Sequence, residues 1–232
     1  MLNHNSIYKK YSDISINWLP SDTEELYKKN LVEQRSLLEK NNWIDCKFTY
    51  TFNSEGFRSE RFTNNPTAMF LGCSNTIGIG LPVENIWPTL VAKKLNMSCA
   101  NLGQGGASAD TAFRLCLGWI DKIKPKIVIF LQPPGIRWEM VRYQKIEFLG
   151  AGFSPRMGYE PYMNDYWSDD NNNHFNTEKN TLAIQQLCAQ RNIKFYKIAG
   201  MPPHDQKDLA RDLAHAGVKT HQKLAEQVCN NI

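Results

Sequence analysis

Hydrophobic positions along the chain fall into two regimes. Over residues 1–66 they are interleaved with polar ones. "SDTEELYKKNLVEQRSLLEK" offers Ser21 or Asp22 as an N-cap and predicts a helix running to about Lys40. "CKFTYTFNSEGFRSERF" alternates around a turn at Asn53–Gly56 and predicts a hairpin or an edge element. From Ala68 onward, short apolar runs alternate with amphipathic stretches. The runs "AMFLG", "SCANLG", "KIVIFLQ" and "IKFYKIA" read as strands, and about Glu84–Leu95, Ala107–Ile123, Thr177–Gln190 and Val218–Val228 read as helices.

Near-continuous apolar strands separated by helices predict a parallel sheet covered on both faces, an α/β fold of three layers. The expected organisation is an N-terminal helix-and-hairpin extension over residues 1–66, packed on a core domain of residues 67–232. One segment breaks the rhythm: "GAGFSPRMGYEPYMNDYWSDDNNNHFN", residues 150–176, is rich in Gly, Pro, Asn and aromatics and reads as a long loop near a site. Its Tyr159, Tyr162, Tyr166 and Trp167 could form a sugar-stacking wall or pin the loop to the core.

Composition narrows the function classes. The 232 residues carry a formal net charge of +4, with Lys and Arg scattered, which is a poor footprint for nucleic acid. No apolar run approaches the ~20 residues of a membrane span. The six cysteines are widely spaced without a C-x-x-C pair, and "MLNHNSIYKKYSD" has no signal-peptide pattern. Buried thiols in a reducing cytoplasm are therefore expected.

Three stretches carry candidate chemistry. In "AMFLGCSNTIGIG" a buried strand breaks at Gly72-Cys73-Ser74, and ligands of open parallel sheets bind beyond such strand ends. Ser74 is either a turn serine with a local hydrogen bond or a displayed nucleophile; Cys73 beside it is the rival thiol. In "NLGQGGASAD", Gly103, Gly105 and Gly106 allow close backbone approach. They serve either a dinucleotide fingerprint, which fits imperfectly because Ser108 takes its sixth position, or an amide aimed at an oxyanion. In "ARDLAHAGVKTHQ", Asp212 and His215 are spaced so that the carboxylate can hold one imidazole nitrogen while the other faces a nucleophile; a solvated pair is the plain alternative. His221 belongs to the following helix, and His4, His174 and His204 have no metal-ligand spacing.

Together these blocks resemble the SGNH (GDSL-type) hydrolases over about Phe52 to the C-terminus. The resemblance implies a flavodoxin-like α/β/α sandwich with a mostly parallel central sheet and a cofactor-free, metal-free serine esterase. Gly72-Cys73-Ser74 matches the family's Gly-Asp-Ser, making Ser74 the implied nucleophile. Asn101–Gly106 matches the second block, implying Gly106 as an oxyanion donor, and Asp212-x-x-His215 matches the last. There are two departures: Cys73 replaces the usual Asp, and Pro134 in "FLQPPGIRWEM" falls where a third-block Asn should donate to the oxyanion. Gln132 or Arg137 is expected to substitute, with Arg137 the chosen candidate.

The expected function is hydrolysis of a carboxylic ester, in its narrower form an acetyl ester on a carbohydrate, through Ser74, His215 and Asp212. The alternative is an SGNH-like fold kept as a binding or structural module, its oxyanion site eroded at Pro134. The expected partner is a small-molecule or carbohydrate ester, with neither nucleic acid nor membrane; the oligomeric state is left open.

Overall fold

The structure, a computed structural model, describes residues 4–62, 66–142, 145–149, 165–166, 169–203 and 208–232. The N-terminal part comprises β1 (Ser15–Ile16), α1 (Glu24–Glu33), α2 (Arg35–Lys40) and β2 (Tyr50–Thr51). Thr23, and neither Ser21 nor Asp22, caps α1: its side chain accepts the Leu26 N–H at 3.2 Å. The predicted single helix breaks at Gln34, and Asp22 is buried for another purpose. Of the two expected forms, the edge element is found and the local hairpin is not: the turn at Asn53–Gly56 is present, but β2 pairs antiparallel with the distant β1 in a two-stranded sheet.

The core follows as β3 (Thr67–Leu71), α3 (Ser74–Ile77), α4 (Trp87–Lys94), β4 (Ser98–Asn101), α5 (Ala109–Ile123) and β5 (Ile127–Leu131). After it come β6 (Trp138–Arg142), β7 (Lys145–Leu149), α6 (Asp170–Ala189), β8 (Lys194–Ile198) and α7 (Val218–Asn231). The central sheet has the order β4-β3-β5-β8, and every pairing is parallel. Alternate side chains of a strand face opposite ways. Met69, Leu71, Val128 and Phe130 therefore pack against α5 and α6 on one face. Ala68, Phe70, Ile127 and Ile129 pack against α4 and α7 on the other. This is the expected α/β architecture, a parallel sheet between two helical layers.

Two elements differ from expectation. Trp138–Arg142 and Lys145–Leu149 form the antiparallel pair β6–β7. Helix α6 begins at Asp170, capped by Asp169, and so takes in the end of the segment expected to be a loop. Its polar start hides an inward face. Asn176 and Asn180 donate to Asp110 on α5 at 3.0 and 2.8 Å, and Asn173 accepts the Trp138 indole N–H at 2.9 Å. Of the proposed aromatic wall, Tyr159, Tyr162 and Trp167 lie outside the described residues, while the Tyr166 ring meets Trp138 edge-on at 5.2 Å.

Candidate active site

The turn after β3 is tight, and Ser74 in it is buried, 8% exposed. Gly72 has φ +155, and a Cβ there would sit 2.2 Å from Thr76 Oγ1, so only glycine lets the chain turn this tightly. Cys73 is the N-cap residue of α3 and is buried; Ser74 opens the helix. The Ser74 carbonyl accepts the N–H groups of Gly78 and Ile79 at 2.9 and 3.1 Å, fixing the residue's backbone. Ser74 Oγ points toward Cys73 Sγ, 4.0 Å away, and makes no hydrogen bond to His215.

Asp212 and His215 form a tight pair. Asp212 Oδ1 accepts the N–H groups of Ala214 and His215 at 3.1 and 3.0 Å, closing a turn in which Leu213 adopts φ 55. That turn presents Oδ2 to His215 Nδ1 at 2.5 Å. The Asp212 side chain is fully buried, whereas that of His215 keeps 18% of its surface exposed. One imidazole edge is therefore held by a carboxylate and the other left open. Asp208 ties this loop to α7 by accepting from Thr220 N and Oγ1 at 2.7 and 2.6 Å.

The serine turn and the Asp212 loop touch at Gly80. Its carbonyl accepts the Arg211 N–H at 3.0 Å, and a Cβ there would lie 2.7 Å from Ala210 Cβ and 3.3 Å from Asp212 Oδ1. Blocks separated by more than a hundred residues of sequence are thus brought together. The second block joins them: Asn101 Nδ2 donates to the Thr76 carbonyl at 2.8 Å, and Asn101 Oδ1 accepts Gly103 N–H at 3.0 Å. The β6–β7 pair comes up against this loop, since Phe148 Cδ2 would lie 3.4 Å from a Cβ at Gly106. Among the described residues, neither the Ser74 nor the Gly106 N–H enters a backbone hydrogen bond.

Beyond β5, Gln132 and Pro134 line a cavity of about 350 Å³ with Cys73, Asn75 and Gly200, at the ends of β3, β5 and β8. Arg137 donates its N–H to Pro134 O at 3.2 Å, and its Nε and Nη1 are buried without a hydrogen-bond partner among the described residues. Glu139 does not pair with Arg137, because both its oxygens are taken by Arg114 at 2.6 and 3.0 Å. His221 is helical and fully buried, and its Nδ1 accepts the Trp87 N–H. No three His, Cys, Asp or Glu side chains converge as a metal site would require, among the described residues. All six cysteines are free thiols, and no described helix is long and apolar enough to cross a membrane.

Sequence reasoning missed the residues that hold these loops. Arg58, buried in the N-terminal part, donates to the carbonyls of Ile77, Gly78 and Leu81, the last two at 2.6 and 2.7 Å. Burial lowers its pKa to about 10. The Tyr50 hydroxyl accepts Gly80 N–H at 2.7 Å, and the Tyr8 hydroxyl accepts Gly105 N–H at 3.1 Å. Burial raises both phenols, Tyr8 to about 12, so each stays protonated at neutral pH.

No family model matches the chain, and no curated protein matches it in sequence. Solved structures do match. One is a G-D-S-L family protein from Desulfitobacterium hafniense DCB-2, with 12% identity, 72% of this chain and 100% of that one covered, and a TM-score of 0.40. A second is the psychrotrophic esterase EstA from Pseudoalteromonas sp., with 14% identity, coverage of 71% and 94%, and a TM-score of 0.38. A third is the acetyl xylan esterase Est2A from the rumen bacterium Butyrivibrio proteoclasticus, with 12% identity, coverage of 79% and 65%, and a TM-score of 0.39. These are likenesses of overall fold; residue roles rest on this chain's own geometry.

Proposed function

We propose that this chain is a serine hydrolase of carboxylic esters, with an acetyl group on a carbohydrate as the substrate form to test first. The observation that carries the reading is the Asp212–His215 pair, 2.5 Å apart, with the far edge of the imidazole open. Buried Asp212 fixes the ring so that Nδ1 carries the proton and Nε2 is the base.

In this reading Ser74 Oγ attacks the ester carbonyl as His215 Nε2 takes its proton. The tetrahedral oxyanion faces the N–H groups of Ser74 and Gly106. Arg137, whose buried Nε and Nη1 have no acceptor among the described residues, supplies the donor that Pro134 cannot. His215 returns the proton to the leaving alcohol, and water then cleaves the acyl-enzyme by the same route in reverse. The missing Ser74–His215 hydrogen bond fits a substrate-free site, where such contacts tighten only on binding.

The second reading, a binding module of the same fold, is favoured by that missing hydrogen bond and by Pro134. A fluorophosphonate probe and a short p-nitrophenyl ester separate the two. The hydrolase reading expects labelling and turnover in the parent and neither in Ser74→Ala. A folded parent inert to both reagents would establish the binding module instead.

A further inference from the structure

The N-terminal part contributes no group to the proposed chemistry, yet it grips the loops that carry Ser74, Gly106, Asp212 and His215. Tyr8 holds the amide next to Gly106, Arg58 holds three carbonyls at and beyond the end of α3, and Tyr50 holds the Gly80 amide. The centre of this grip is Asp22, which is 1% exposed. Its carboxylate accepts the Tyr50 hydroxyl. It also accepts Arg211 Nε and Nη2, at 3.1 and 2.7 Å. Arg211 is further clamped between the rings of Trp18 and Phe48, 4.1 and 4.0 Å from their centroids.

Arg211 directly precedes Asp212, and its own N–H bonds to Gly80 O. Asp22 thereby closes a circuit. One arm runs through Tyr50 to the amide of Gly80, on the serine side. The other runs through Arg211 to the backbone that carries Asp212 and His215. Both arms end at the Gly80 contact where the two loops meet. A buried carboxylate bonded to a phenol and a guanidinium is stiff, because each partner would be left uncompensated if it moved.

We propose that Asp22 is a positioning residue of the active site, setting the separation of Ser74 and His215 through Tyr50 and Arg211. The proposal rests on the hydrolase reading for its kinetic consequence, although the geometric consequence can be measured without it. Catalytic geometry is unforgiving: a misplacement of about 1 Å costs on the order of 100-fold in rate. Substrate binding, made by other groups, is expected to change little.

The test compares the full-length parent with Asp22→Asn and Tyr50→Phe, the second being the milder change because it leaves the Asp22–Arg211 pair intact. Hydrolysis of p-nitrophenyl acetate reads kcat and KM; the imidazole N–H resonance of His215 reads its hydrogen bond to Asp212. Both variants should lose about tenfold or more in kcat with KM within about twofold. The His215 resonance should shift or broaden while far-UV circular dichroism is unchanged. Should Asp22→Asn fail to fold, Tyr50→Phe decides. Folded variants with parental kcat and an unmoved His215 resonance overturn the proposal. A parent without turnover would sink the hydrolase reading alone, and the resonance would still decide whether Asp22 holds the His215 loop.

Discussion

Nδ1 of His221 accepts the backbone N–H of Trp87 at 3.1 Å, so a buried imidazole on α7 satisfies an orphan donor in the first turn of α4. An acceptor nitrogen cannot carry a proton. Burial, with smaller contributions from nearby His215 and Arg58, lowers the His221 pKa from 6.5 to about 3, against the opposing pull of Asp208.

Between those two values the unfolded chain binds a proton that the folded chain refuses. Stability must therefore fall as pH drops below 6.5, by about 2 kcal/mol at pH 5 from this group alone. Urea midpoints at pH 7 and pH 5 check this in the parent and in His221→Asn, whose amide oxygen can replace Nδ1. The parent should lose stability and the variant should lose less. Equal losses in both would show that His221 is not the source.

Asp212 has two duties on separate oxygens, and substitutions can divide them. Asp212→Asn can keep an oxygen for the N–H groups of Ala214 and His215 while favouring the wrong imidazole tautomer. The expected result is near-parental thermal stability with kcat down on the order of 10⁴-fold. Asp212→Ala removes the turn's acceptor too and should cost an additional ~1–2 kcal/mol of stability. If Asp212→Asn hydrolysed ester at the parental rate, Asp212 would have no catalytic role.

Arg137 gives an unusual pairing of effects. Its buried Nε and Nη1 have no acceptor among the described residues, which costs stability, whereas an oxyanion would supply one. Arg137→Met should lower kcat by roughly 100-fold with little change in KM. The same substitution should leave Tm unchanged or raise it, because two buried donors without partners are removed. A lower Tm with unchanged kcat would mark Arg137 as purely structural.

Cys73 is the remaining rival for the nucleophile. It is 5% exposed and precedes the helix on which Ser74 sits. Cys73→Ala should keep activity within about threefold of the parent, the scale of a packing change, while Ser74→Ala and His215→Ala abolish it. The double variant Ser74→Ala/His215→Ala should be little worse than either single one, because the groups act as a unit. Thiol-directed inactivation matching the loss in Ser74→Ala would reverse the assignment.

Legibility of the sequence followed the kind of signal each element carries. The strands of the central sheet announced themselves because burial on both faces leaves runs such as "IVIFL" uniformly apolar. The turn after β3 and the Asp-x-x-His spacing were visible because their geometry is local. Helix α6 was cut short because its inward positions are Asn173, Asn176 and Asn180, which bond to Asp110 and Trp138, so polarity marked the interior. The β6–β7 pair was missed because its strands are only partly buried and lack a continuous apolar run. Asp22 looked like a helix cap, since a carboxylate just before "TEEL" suits that role; its charged partner, Arg211, lies 189 positions away. No local pattern encodes such a contact.

That distance has a consequence for how the protein is made. A ribosome releases Asp22 and Tyr50 early, long before Arg211 exists. Trp43 waits similarly, since its indole N–H bonds to the Leu209 carbonyl, 166 positions on. Contacts of such long range form late, because the intervening chain must first collapse. A nascent chain can therefore carry Ser74 on a folded strand end while His215 is still unsynthesised or undocked. On the hydrolase reading, unfinished copies are inactive until the Arg211–Asp22 contact forms.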